Sequence, residues 1–169
     1  MTTDMLVFDI ETDGLLDQMN TIHCAVTKDY KTGEVLEYGP RDIELFVRSL
    51  ENQVVIGHNI LGFDLPAIEK WCAMNDNLFI GETYPQPKMI IDTLVMSRLL
   101  NPDRERPDGL PQRVGPHSLK SWGYRLGIYK GDYGEQDGAW DCFSEEMMAY
   151  CRQDVEVTHE VYKALLKEM

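Results

Sequence analysis

Cations are scarce in this sequence: 16 Lys and Arg stand against 29 Asp and Glu, giving a formal net charge of −13 and a pI near 4.6. That balance excludes a broad face for non-specific nucleic-acid binding, because such affinity comes mainly from Lys and Arg neutralising phosphates. Any polyanion must be gripped locally. Long apolar runs are missing as well, and the N-terminus "MTTDML" lacks a basic-then-apolar layout. Neither a membrane span nor a signal peptide is expected, so the reading is a soluble intracellular protein. The four cysteines (Cys24, Cys72, Cys142, Cys151) are scattered, with no CxxC pair and no Cys/His cluster at zinc-ligand spacing. This argues against a disulfide framework and against a zinc site. Internal repeats and low-complexity tracts are also absent, and 169 residues fit one domain, 1–169, with a mixed α/β core.

The charge that is present is sorted along the chain. Residues 102–131 carry six basic side chains (Arg104, Arg106, Arg113, Lys120, Arg125, Lys130) against three acids (Asp103, Glu105, Asp108). The following stretch, 132–160, holds nine acids and only Arg152.

Hydrophobic patterning predicts a buried strand over 5–10, then strands in "TIHCAVTKD" and "GEVLEYG" joined by a turn at Lys31-Thr32-Gly33, a three-stranded antiparallel meander. Strand and helix alternate after that. "RDIELFVRSL" has helical spacing, "QVVIGHN" is a short buried strand, and "DLPAIEKWCAM" opens with Asp and an early Pro as a helix should. "KMIID" is a fifth strand feeding the helix "TLVMSRLL", which stops before Asn101-Pro102. Two long loops, 102–116 and 128–143, bracket a short helix, "HSLKSWGYRLG", closed by Gly127. A long helix ends the chain, with Ser144 as its N-cap and Glu145 and Glu146 in its first turn. Its stripe Met147, Tyr150, Cys151, Val157, Val161 and Leu165 follows i, i+3, i+4 spacing, and Asp154 falls on the same face.

Acids therefore sit where core residues belong. In "MLVFDIETDGLL", Asp9 and Glu11 lie two apart on a strand and project from one face. Tyr150 and Asp154 lie four apart on a helix and also share a face. Asp64, in "NILGFD", stands where a strand turns into a helix. An ionised carboxylate in apolar surroundings is costly unless a cation meets it. If strands 5–10 and 53–57 are neighbours and the last helix crosses their ends, four carboxylates converge. Hard divalent ions, Mg²⁺ or Mn²⁺, suit an all-oxygen site better than zinc does. Each acid also has a plainer reading: Asp9 and Glu11 as a strand end entering a polar turn, Asp64 as the N-cap of a helix beginning at Leu65, and Asp154 as the partner of an Arg. Tyr150 could be ordinary core with its hydroxyl at the rim. Asp92 reads as a helix cap outside the metal site, and His58 and His117 as structural or rim residues.

Taken together, Asp9-x-Glu11-Thr12, Asn59-x-x-x-Phe63-Asp64 and Tyr150-x-x-x-Asp154 resemble the three motifs of the DEDD exonucleases, in the subclass that carries a Tyr. "FDIETDGLL", "GHNILGFDLPAI", "IDTLVMSRLL", "HSLKSWGYRLG" and "EEMMAYCRQDVEVT" are similar to the 3′-5′ proofreading domain of family A DNA polymerases, in particular those of short-tailed phages. The resemblance implies a ribonuclease H-like α/β fold, a mixed five-stranded sheet with flanking helices. It implies two divalent cations, with Asp9 between both ions, Glu11 and Asp154 completing the site for one, Asp64 holding the other, and Tyr150 orienting the attacking water. Thr12 and Leu15 match positions beside the terminal nucleotide, although Leu15 could equally be core, and Asn59 and Phe63 shape the turn that aims Asp64.

The implied substrate is the 3′ end of single-stranded DNA, the implied partner a DNA polymerase or replisome protein, and the implied location the host cytoplasm if the chain is phage-encoded. A polymerase continues well past such a domain, so the resemblance admits either a free-standing exonuclease or one domain of a longer chain. An RNA-directed exonuclease and a non-catalytic replisome-binding module are the other readings. For substrate grip the loop arginines Arg104, Arg106 and Arg113 stand out; they could instead pair with Asp103, Glu105 and Asp108, which would move the strand toward Lys120, Arg125 and Lys130.

Overall fold

β1 (Met5–Thr12) divides the interior in two, because its side chains alternate between opposite faces of the sheet. Phe8 and Ile10 enter one apolar cluster with Phe46, Ile60 and Ile68, whereas Val7 enters another with Ile56, Met147, Cys151 and Val155. Asp9 and Glu11 share the face of Val7. The computed structural model describes residues 4–128 and 133–169; Lys130 lies outside the described residues.

Four more strands complete the sheet: β2 (Ile22–Asp29), β3 (Val35–Tyr38), β4 (Val54–Gly57) and β5 (Met89–Asp92). Their order is β3-β2-β1-β4-β5, with β1 central. β2 runs antiparallel to β1 and to β3, as the meander requires, while β4 runs parallel to β1 and β5 parallel to β4. Parallel pairing sends the C-terminal ends of β1 and β4 to the same edge, where an open α/β sheet gathers its functional groups.

β1 runs two residues past the expected end at Ile10, and this extension holds Glu11 in register opposite Cys24. The register slips between Glu11 and Thr12, an irregularity of the kind that re-aims side chains at strand ends.

Helices cover both faces. α1 (Ile43–Ser49) and α2 (Leu65–Met74) supply Phe46, Val47, Ile68 and Trp71 to the cluster beneath Phe8. On the other face, α3 (Thr93–Leu100) and α4 (Leu119–Leu126) pack on α5 (Glu145–Glu168), which lies across β1 and β2. Leu119 and Trp122 of α4 meet Val157, Val161 and Leu165 of α5. The Ser144 side chain accepts the Met147 N–H and caps α5, and α4 closes on Gly127 in the left-handed region at φ 70°. Among the described residues no helix is long and apolar enough to cross a membrane.

Candidate active site

The seating of α5 on β1 sets Cys151 against the two carboxylates of the strand. Ligand atoms of Asp9, Glu11 and Cys151 all lie within 4.8 Å of one another. The Cys151 thiol donates toward Asp9 twice, at 3.4 Å to its backbone carbonyl and 3.6 Å to Oδ2. One turn further along the stripe, Asp154 is buried and shares a cleft with Asp9, His58, Asn59 and Ser118.

Asp64 arrives by a different route. Between β4 and α2 the chain forms a single π-helical turn, Ile60–Asp64, entered through Asn59 in the left-handed region at φ 59°. Asn tolerates that conformation better than most residues. Two close approaches leave no room for side chains in this turn: a Cβ on Gly57 would stand 2.2 Å from Ile60 Cγ2, and one on Gly62 2.5 Å from Asn59 Oδ1. The turn leaves Asp64 with helical dihedrals (φ −61°, ψ −47°) and no hydrogen bond from its side chain to α2. Its Oδ2 accepts instead from the N–H of Ile10, at 3.3 Å, in β1. The capping role open to Asp64 in the sequence is thus not the one it takes. Burial, and then the charge of Asp9, push its carboxyl well above the usual range, with the Ile10 N–H acting in the opposite sense.

Beside the carboxylates, Thr12, Leu15 and Phe63 line one apolar recess together with Glu11 and Trp140. Leu15 is 69 % exposed, which rules out the core role. The Thr12 hydroxyl donates to the carbonyl of Gly14 at 2.7 Å and fixes the turn after β1. Trp140 escaped the sequence reading; the only cue was an aromatic residue inside a Gly- and Asp-rich loop. Its ring lies edge-on to Tyr150, with centroids 6.0 Å apart, and Tyr133 packs on Tyr150 at 5.7 Å. Tyr150 therefore stands half-buried at the rim, braced by two aromatic rings.

The three loop arginines separate. Arg104 makes a bidentate pair with Glu168 (2.9 and 2.6 Å) and lies 4.5 Å over the Trp122 ring, its side chain only 8 % exposed. Arg106 donates to the carbonyl of Gln112 at 3.3 Å. Arg113 alone extends into solvent, 76 % exposed, with Glu135 at 3.9 Å. The expectation that Arg104, Arg106 and Arg113 grip the strand is corrected for Arg104, which packing against a distant helix end claims. Pairing with the adjacent acids is not what claims it either. Arg125 is similarly engaged, donating to the carbonyls of Glu105 and Pro116 and lying over Trp122 at 4.9 Å.

The same loop is latched at His117, on the wall of the cleft that holds Asp9 and Asp154. Trp122 Nε1 can only donate, and it does so to Ser97 Oγ at 3.0 Å. Ser97 Oγ also lies 2.8 Å from His117 Nδ1, a hydrogen bond between the two groups, and the His117 ring is further hydrogen-bonded to the backbone of Pro102. Burial, with Arg104, Arg98 and Arg125 nearby, lowers the His117 pKa from the ordinary histidine value, against the opposing pull of the Pro102 carbonyl.

Asp9 and Glu11 on β1, Asp64 at the end of the π-helical turn and Asp154 on α5 are carboxylates, the oxygen donors that hard divalent cations take, and the ligand atoms of Asp9 and Glu11 already lie within 4.8 Å of each other and of Cys151. The donor set fits such ions.

Comparison with known proteins gives the frame for this arrangement. A family model described as 3′-5′ exonuclease matches residues 2–169. The chain belongs to the 3′-5′ exonuclease family. It is 37 % identical to the DNA-directed DNA polymerase of Escherichia phage T7, over 97 % of this chain and 27 % of that one. The exonuclease-family chain thus spans about a quarter of the length of that relative. Among solved structures, Brucella melitensis NrnC bound to pGG has a TM-score of 0.64 at 19 % identity, covering 99 % of this chain and 74 % of NrnC, and NrnC has also been solved with bound Mg²⁺. Escherichia coli RNase D, an exoribonuclease involved in structured RNA processing, has a TM-score of 0.63 at 15 % identity, covering 98 % of this chain and 40 % of RNase D. The fold is ribonuclease H-like, as the sequence motifs imply.

Proposed function

We propose that this exonuclease removes 5′-mononucleotides from the 3′ ends of single-stranded or frayed DNA by two-metal-ion hydrolysis. The observation that carries the reading is the direction of Asp64: its carboxylate turns away from its own helix and toward β1, beside Asp9. A structural cap would do the reverse. On this reading Asp9 would hold both cations, Glu11 and Asp154 would complete the site for one of them, and Asp64 would hold the other directly or through water. When bound, Mg²⁺ or Mn²⁺ would supply activation of water and stabilisation of the departing oxygen.

The chain's own groups do the rest. Tyr150 orients the attacking water through its hydroxyl, since a phenol is a weak base at neutral pH and its work is positional. Leu15 and Phe63 wall the recess for the terminal base, where stacking accepts any sequence. Asn59, which lines the cleft, and Arg113, which is exposed, would meet the strand. The phage T7 relative favours DNA; the ribonuclease neighbours keep RNA as the second reading. A DNA polymerase or replisome protein remains the proposed partner, and the cytoplasm, the host's if the chain is phage-encoded, the proposed place of action.

Labelled DNA and RNA oligomers, each incubated with Mg²⁺, Mn²⁺ or EDTA, test the proposal. Mononucleotides released stepwise from DNA 3′ ends, and abolished by EDTA, are expected. Faster release from RNA would favour the second reading, and no release from either polymer would leave only a binding module.

A further inference from the structure

Asp92 ends β5 and caps α3, its Oδ1 accepting from the Leu94 N–H at 2.9 Å. A cap needs no more than that. Yet the same oxygen accepts from the N–H of Asn59 at 2.9 Å, and Oδ2 accepts from the N–H of Leu61 at 3.0 Å. Two of three donors on this buried carboxylate therefore come from the turn that delivers Asp64. Its neighbour Thr93, fully buried, grips the same segment: the hydroxyl lies 3.2 Å from the Gly57 carbonyl and 2.8 Å from His58 Nδ1.

From these contacts we infer that Asp92, seconded by Thr93, is the positioning residue for Asp64. The inference rests on the metal-dependent exonuclease reading and deepens it. Asn59 sits in the left-handed region and the next five residues form a π-helical turn, neither of which a free chain favours. Hydrogen bonds to the amides of residues 59 and 61 hold both features in place from outside the turn. With them in place, Asp64 points at the Ile10 N–H and lies beside Asp9. Both Asp92 oxygens are turned to N–H donors, so Asp92 supports the metal ligands without joining them. Partners that orient ligating carboxylates typically change metal affinity or activity by about 10–100-fold when removed.

The test uses Asp92→Asn, which preserves shape but sets an amide N–H₂ against a backbone N–H, and Thr93→Val, which removes only the hydroxyl. Three quantities are read: hydrogen exchange of residues 57–64 without metal, Mn²⁺ affinity by electron paramagnetic resonance, and kcat against KM on an oligonucleotide. Asp92→Asn should lose protection over 57–64, bind Mn²⁺ roughly 10–100-fold more weakly and lose a similar factor in kcat, with KM within about twofold. Thr93→Val should move in the same direction by less, and it carries the test alone if Asp92→Asn does not fold. A variant that melts earlier but keeps Mn²⁺ affinity and kcat would show a plain helix cap and overturn the inference. If the unsubstituted chain bound no Mn²⁺ and released no nucleotide, the exonuclease reading would fall; exchange over 57–64 would still decide whether Asp92 holds the turn.

Discussion

Asp64 Oδ2 takes a hydrogen bond from the Ile10 N–H at 3.3 Å, across 54 residues of sequence. The contact fixes the carboxylate against β1, where burial and Asp9 raise its pKa well above that of the unfolded chain. An acid whose folded pKa is raised adds stability below the unfolded value, near 4, and loses it as pH rises through the folded value. Metal-free protein should therefore weaken as pH rises out of the acid range, and Asp64→Asn should weaken less. Chemical denaturation at several pH values in EDTA checks the difference between the two.

Substituting Asp9, Asp64 or Asp154 by Ala should lower turnover by at least about 100-fold, because each removes an oxygen ligand. Melting temperatures without metal should be unchanged or raised, since carboxylate crowding is relieved. A variant with near-normal turnover would mark its carboxylate as structural.

Tyr150→Phe deletes an orienting hydroxyl and leaves the carboxylates alone. Mn²⁺ affinity measured by calorimetry should be unchanged, with turnover reduced roughly 10–100-fold. Loss of affinity comparable to that of Asp9→Ala would refute the assigned role.

Arg104 and Arg113 should behave oppositely. Arg104→Ala breaks the Glu168 pair and the contact with Trp122, so the melting temperature should fall, by an amount corresponding to about 1–2 kcal/mol. Arg113→Ala should leave stability within about 0.5 kcal/mol while raising KM and flattening its salt dependence. An unchanged salt slope would move the strand toward Lys120.

His117 supplies a second pH dependence. Its pKa is depressed in the folded protein, so its contribution is present above the unfolded value near 6.5 and is lost as pH falls through the lower folded value. Stability followed as pH falls from neutrality through the histidine range should drop more steeply for the unsubstituted chain than for His117→Asn.

These residues also mark what can be read without coordinates. Asp9, Glu11, Tyr150 and Asp154 stand out because periodicity alone assigns their faces, and the five strands were legible from the same signal. Asp64 was ambiguous because capping and ligation demand the same residue at the same place; only the π-helical turn separates them. Asp92 reads as a cap and is one, but its further bonds to Asn59 and Leu61 span more than thirty positions and leave no local sign. Arg104 reads from sequence as a strand contact or the partner of an adjacent acid because its actual partner, Glu168, lies 64 residues away. Tertiary pairing at such separations leaves no local pattern, and the same is true of the aromatic brace that Trp140 gives Tyr150.

Anomalous diffraction at the manganese edge, from crystals soaked with Mn²⁺ and a 5′-mononucleotide, addresses the central claim most directly. Two manganese peaks are expected among Asp9, Glu11, Asp64 and Asp154, with Asp9 oxygens reaching both. Peaks elsewhere on the molecule, or none within ligand distance of these four carboxylates, would contradict it.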